Sequence, residues 1–162
     1  MVPAEYFSEM EGMDMIRDWK SKGEVIVFTN GCFDLLHPGH IQYLEEAKSL
    51  GSKLVIGINT DDSVTHLKGK GRPIMNLEDR MLMLIALKPV DLVLPFSEET
   101  PARLIKEISP NILVKGGDYT LDTIVGAEYV ESIGGEVKVL SFKDGYATST
   151  IINKILQLKN HD

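Results

Sequence analysis

The chain has one cysteine, Cys32, so no internal disulfide framework holds it together. No apolar run approaches the roughly 18 residues that a membrane-crossing helix needs. The opening stretch, MVPAEYFSEMEGMD, carries acids where a secretory leader has bases followed by apolar residues. Positive charge is scarce: 17 Lys and Arg stand against 24 Asp and Glu, for a net charge of −7. Such a surface repels polyanions on average, which disfavours a general nucleic-acid or anionic-membrane binder. Repeats, linkers and low-complexity tracts are missing too. Together these absences point to a cytoplasmic protein in a reducing compartment. What is present is 162 residues, 43% apolar and 25% charged, enough for one domain with a sizeable core.

Short β-branched runs alternate with helical patterns along the chain. Residues 4–22 read as a helix, with Tyr6, Met10, Met13, Ile16 and Trp19 at threes and fours. Strands are expected at 25–28, 54–58, 91–94, 112–114 and 137–140. Helices are expected at 38–50, 61–67, 77–87, 100–109, 124–133 and 148–158, with Pro38 and Pro101 at first turns. Continuous apolar strands separated by helices are covered on both faces and run parallel. The expected fold is therefore α/β: a Rossmann-like, doubly wound, five-stranded parallel sheet over 24–158, behind a helical extension over 1–23. Ligands of such sheets sit at the carboxyl ends of the strands.

The segment after the first strand, Thr29-Asn30-Gly31-Cys32-Phe33-Asp34-Leu35-Leu36-His37-Pro38-Gly39-His40, carries the densest signal. His37 and His40 lie one helical turn apart at a helix start, where free N–H groups and the helix dipole attract anions. Two imidazoles there can donate to phosphate oxygens. Two plainer roles stay open: a structural histidine, and a metal site using the pair with Cys32 or Asp34. Cys32 reads as a small buried residue rather than a nucleophile. Residues 66–75 hold Lys68, Lys70 and Arg72 with no acid, and Gly69 and Gly71 give that loop the mobility to close over a ligand. A solvated surface loop is the alternative.

The run GCFDLLHPGH, with its His-x-Gly-His core, resembles the nucleotidylyltransferase superfamily that includes cytidylyltransferases and class I tRNA synthetases. LKGKGRP (67–73), EDRMLML (78–84), LVKGGDY (113–119) and DGYATSTII (144–152) follow in the same order. Together, over roughly 24–156, they resemble the adenylyltransferase domain of bacterial ADP-heptose synthases. The resemblance implies transfer of AMP from ATP to D-glycero-β-D-manno-heptose 1-phosphate, with Mg²⁺, release of pyrophosphate, and a product used for lipopolysaccharide or related surface glycans.

By that resemblance His37, His40 and Lys68 are catalytic. Thr29, Asn30, Gly31, Cys32, Phe33 and Asp34 line the nucleotide, with Arg72, Arg80, Lys115, Gly117, Asp118, Thr148, Ser149 and Thr150. Lys115, Gly116, Asp118 and Tyr119 hold the second substrate. No residue is implied as a direct metal ligand, although Asp34 can act on Mg²⁺ through a water, or else bond its own turn. Arg80 has a surface ion pair with Glu78 or Asp79 as its alternative role. The hydroxyl that the family carries at one position is Ala147 here, which shifts weight to Thr148 and Ser149.

Relatives fuse this domain to a sugar kinase, for which 162 residues leave no room, so a separate kinase is the expected source of the 1-phosphate. The Met/Trp/Ile face of the first helix either packs on the domain or forms a homodimer contact. Rival readings are a glycerol-3-phosphate cytidylyltransferase, a guanylyl-transferring heptose enzyme, a non-catalytic nucleotide-binding protein and a metal-binding protein.

Overall fold

A computed structural model describes residues 8–117, 119–141 and 146–159. Helix α1 (Glu9–Ser21) leads into β1 (Ile26–Gly31), followed by α2 (Pro38–Ser49) and β2 (Lys53–Asn59). Two helices, α3 (Asp61–Lys68) and α4 (Leu77–Ile85), precede β3 (Leu92–Phe96). Then come α5 (Ala102–Ile108), β4 (Ile112–Gly116), a 3₁₀ turn (Leu121–Thr123), α6 (Ala127–Ser132), β5 (Glu136–Leu140) and α7 (Thr148–Lys159). The five strands form one sheet in the order β3-β2-β1-β4-β5, and every pairing is parallel. No described helix is long and apolar enough to cross a membrane.

Period-two alternation sorts the strand side chains onto two faces. Ile26, Phe28, Val55, Leu92, Leu94 and Phe96 point to one face, under Ile16 of α1 and Leu104, Ile105 and Ile108 of α5. Val27, Leu54, Ile56, Ile58 and Val93 point to the other, under Tyr43, Leu44 and Ala47 of α2 and Met81 and Leu84 of α4. Both faces are covered, which is why these strands read as unbroken apolar runs.

Helix α1 lies over this sheet: Ile16 is 1% exposed, and a Cβ on Gly12 would stand 2.4 Å from Leu94 Cδ2. Its far end is tied down where Lys20 Nζ donates to the carbonyls of Ile108 and Ser109, at the left-handed C-cap of α5. Ser8 opens the helix with a capping box, its hydroxyl accepting from Glu11 N and the Glu11 carboxylate accepting from Ser8 N.

β1 is three residues longer than its apolar run. Thr29, Asn30 and Gly31 continue the ladder opposite Ile56, Gly57 and Ile58 of β2, because backbone pairing is indifferent to side-chain polarity. The residues that begin the polar motif are therefore held on the sheet. The strand order reverses between β1 and β4, and such a switch point opens a crevice at the carboxyl ends of the strands.

Candidate active site

A cleft of about 710 Å³ opens at that switch point. The β1–α2 connection forms its floor. Asn59, Leu67, Lys68 and Arg72 wall it on the β2 side, and Lys115, Gly116 and Tyr119 on the β4 side. Tyr146, Ala147, Thr148 and Ser149, at the start of α7, close it. The N-termini of α2 and α7 both meet the cleft, bringing two sets of first-turn N–H groups to one space.

The floor is built from its histidines. His37 is the N-cap of α2, a place usually taken by Ser, Thr, Asp or Asn, and its Nδ1 accepts from His40 N at 3.3 Å. In the neutral ring the proton then resides on Nε2, leaving an N–H donor. The two rings stack at 3.8 Å with 16° between their planes. Burial, then the neighbouring His37, drives His40 down to about 4, and burial also lowers His37. Both imidazoles are thus neutral at pH 7. His40 Nδ1 is buried with no hydrogen-bond partner among the described residues.

The glycine between them is set by packing. A Cβ on Gly39 would lie 3.1 Å from His37 Nδ1 and 3.0 Å from Tyr146 Cβ. Phe33 occupies the left-handed region with φ of 46°, uncommon for a bulky residue, and its ring lies 5.3 Å from that of His40.

Asp34 faces away from solvent, 2% exposed, and holds the loop after α3. Its carboxylate accepts from Arg72 Nε at 2.5 Å, from Ile74 N at 2.8 and 2.9 Å, and from Met75 N at 3.0 Å. Burial alone would raise its pKa, but those backbone N–H groups and the Arg72 guanidinium outweigh it and hold the group below the usual carboxylate range. Asp34 thus fixes the loop that carries Arg72 and follows Lys68.

Arg80 does not reach the cleft wall, nor does it pair with Glu78 or Asp79. Its side chain is fully buried and donates to Met75 O at 3.0 Å, Cys32 O at 2.6 Å and Asp61 Oδ1 at 2.7 Å. The guanidinium joins the β1–α2 connection, the 69–76 loop and the start of α3. Three of its five N–H donors thus serve the protein, one to each of these segments.

The remaining residues divide plainly. Asn30, Gly31, Cys32, Phe33, Asp34, His37, His40, Lys68, Arg72, Lys115, Gly116, Tyr119, Thr148 and Ser149 come together at the cleft. Thr29 is buried just below, its hydroxyl 2.6 Å from that of Tyr43. Gly117 and Thr150 are not in the cleft wall, and Asp118 lies outside the described residues. Thr148 Oγ1 donates to Leu35 O at 3.3 Å.

Cys32 is half-buried, its pKa raised by burial despite Lys68, Arg80 and Arg72 nearby, and its thiol points to Asn59 Oδ1 at 3.8 Å. Among the described residues no group of three His, Cys, Asp or Glu is placed to hold a metal.

Besides Leu67, three polar residues of the cleft carry no site role in the sequence reading. Asn59 ends β2, where the strand-end rule directs attention. Tyr43 lies one turn beyond His40 on the same helix face. Tyr146 sits inside the DGYATSTII segment, and its ring lies 6.3 Å from that of His37.

A parallel α/β sheet with a cleft at its switch point, met there by two helix N-termini, is the architecture of the doubly wound nucleotide-binding class. The chain belongs to the cytidylyltransferase-like family, whose profile matches residues 28–155. It is 54% identical over 153 residues to "Bifunctional protein HldE" of Haemophilus influenzae (strain PittEE), covering 94% of this chain and 32% of that protein. The protein of the same name from Actinobacillus pleuropneumoniae serotype 5b (strain L20) is 57% identical over 136 residues, covering 84% of this chain and 29% of the relative. The chain thus spans about a third of the length of these curated relatives. Among solved structures, a lipopolysaccharide core biosynthesis protein from Thermoplasma volcanium GSS1 superposes with a TM-score of 0.60 at 32% identity, covering 75% of this chain and 98% of the other.

Proposed function

We propose that the chain is a nucleotidyltransferase that moves AMP from ATP to a heptose 1-phosphate, D-glycero-β-D-manno-heptose 1-phosphate, giving an ADP-heptose and pyrophosphate for lipopolysaccharide or related glycan synthesis. The observation that carries the reaction class is the stacked, neutral His37–His40 pair at the start of α2, facing a cleft with cations on two sides. The choice of acceptor is supported by the family resemblance of the motifs, by the identity to HldE proteins across most of the chain and by the solved neighbour described as a lipopolysaccharide core biosynthesis protein.

The chemistry asks little of acid–base groups. An oxygen of the acceptor phosphate forms a new bond to the α-phosphorus of ATP. The bond from that phosphorus to the α–β bridging oxygen breaks, and the electron pair leaves with pyrophosphate. A phosphate monoester is largely dianionic at neutral pH, its second pKa being about 6, so no base must remove a proton. Asp34, the one carboxylate lining the cleft among the described residues, is committed to its loop, consistent with that economy. Catalysis then rests on positioning and on donors aimed where charge develops. His37 Nε2–H supplies one donor, His40 a second, and Lys68 a cation for the departing phosphates. Mg²⁺ belongs to the substrate as the counter-ion of the triphosphate. The 1-phosphate itself requires a sugar kinase, and the reading places the chain in the cytoplasm with the nucleotide pool.

The test is a pyrophosphate-release assay that crosses ATP, CTP and GTP with heptose 1-phosphate and glycerol 3-phosphate. ATP with the heptose is expected to exceed every other pair by at least about tenfold. Turnover confined to CTP and glycerol 3-phosphate would overturn the substrate assignment, and no turnover with any pair would overturn the reaction class.

A further inference from the structure

The buried polar side chains at this end of the sheet are mostly well engaged. Asp34 takes donors from Arg72, Ile74 and Met75, Arg80 meets its three acceptors, and the Thr29 hydroxyl meets that of Tyr43. Asn59 is different. It lines the cleft on the β2 side and is only 4% exposed. Its Nδ2 donates to Ser63 Oγ at 2.9 Å, in the first turn of α3. Its Oδ1 meets only the Cys32 thiol, a weak donor, at 3.8 Å among the described residues. A buried amide oxygen so thinly satisfied is costly until another group completes it.

The backbone holds that amide in place. Asn59 ends β2 opposite Phe96 of β3, and the next N–H, that of Thr60, donates to Phe96 O at 3.0 Å. With its Cα fixed by the sheet and its amide tied to Ser63, the side chain takes its missing partner from the cleft.

Chemistry narrows that partner. The Ser63 hydroxyl and the Cys32 thiol can each donate or accept, so either end of the amide can face the cleft. A hydroxyl suits both ends, because it donates to the oxygen and accepts from the nitrogen. An ionised phosphate oxygen suits the nitrogen alone. Leu67, 48% exposed on the same wall, adds apolar surface of the kind that the C–H groups of a sugar cover.

We infer that Asn59 is a specificity-determining residue whose amide, backed by Ser63 and Cys32, reads a hydroxyl of a bound sugar. This rests on the nucleotidyl-transfer reading above, whose two substrates both carry such hydroxyls, on the ribose of the nucleotide and on the acceptor.

The experiment compares kcat/KM, by pyrophosphate release, for the wild type, Asn59→Ala and Asn59→Ser, with the nucleotide and acceptor that the wild type turns over best. One arm replaces the nucleotide with its 2′-deoxy and 3′-deoxy forms. The other replaces the acceptor with its singly deoxygenated analogues. One analogue is expected to lose about 10- to 100-fold with the wild type, the scale of leaving a buried polar group unpaired. The same analogue should lose less than about threefold with either variant, because the group that reads the hydroxyl is already gone. The arm in which this happens names the sugar. Circular dichroism checks folding, and serine keeps a polar group at the position should alanine fail to fold. A purely structural amide would slow all substrates alike. Wild-type turnover with no analogue coupled to Asn59 in either arm therefore overturns the inference and leaves the transfer reading standing. No wild-type turnover with any pair overturns the transfer reading and this inference with it.

Discussion

Replacing His40 or His37 with alanine should lower kcat by about 10²- to 10³-fold each, the scale of losing one donor to developing charge in a preorganised site. The expectation follows from the paired geometry. Two rings 3.8 Å apart cannot both carry charge cheaply, and burial together with that proximity keeps His40 neutral down to about pH 4. The triphosphate changes the balance, because an anion beside the rings favours their protonated forms. A site neutral when free and more positive when occupied responds to the charge of its ligand. The sign can be checked without mutation. A profile of kcat/KM for the nucleotide reports ionisations of the free enzyme, so the His40 limb belongs near pH 4 and not near 6.5. His37→Ala also removes the cap on His40 N and should destabilise the fold by about 1 kcal/mol, whereas His40→Ala removes no cap. Near-normal pyrophosphate release by either folded variant would contradict the donor role of that histidine.

Arg80→Ala should be the most destabilising single change at this end of the sheet. The guanidinium is buried and has three partners on three segments. Its removal leaves two inward carbonyls, those of Cys32 and Met75, without donors, while Asp61, 44% exposed, falls back on water. Breaking buried charge networks by deleting one member typically costs 3–5 kcal/mol, and the exposure of Asp61 argues for the lower end, about 3 kcal/mol. For a domain of this size that corresponds to a fall in Tm of roughly 6–12 °C. Arg80→Lys should recover only part of it, since one ammonium cannot span the three acceptors of a planar fork. A scanning-calorimetry shift below about 2 °C, with a rise in KM for ATP instead, would return Arg80 to the nucleotide site.

How much of this was legible in the sequence differs by element. The five strands and their helices were, because apolar runs and caps are local signals. So was the histidine pair, since a one-turn spacing after a strand and before Pro38 specifies its own geometry. The end of β1 was not: Thr29, Asn30 and Gly31 lack apolar character, and only the partner strand shows that they are paired. Arg80 was not legible either, because its acceptors lie 48, 19 and 5 positions away along the chain and meet only in the fold. The same distance effect hid the work of Asp34, whose bonds to Ile74 and Met75 cross 40 and 41 positions. The face covered by α1 was likewise unreadable: its apolar stripe suited both the domain and a second copy, and Ile16 goes to the sheet. The net charge of −7 describes the outer surface, while Lys68, Arg72 and Lys115 gather positive charge at the cleft.

The proposed reaction is a single, direct transfer to a phosphate anion, with His37 and His40 as donors and never as covalent carriers. It is tested by turnover of ATP made chiral at the α-phosphorus with sulfur and oxygen isotopes, followed by phosphorus NMR of the nucleotide-sugar product. One in-line displacement predicts inversion of configuration at that phosphorus. Retention would mean two displacements through a nucleotidylated residue, and would contradict the account.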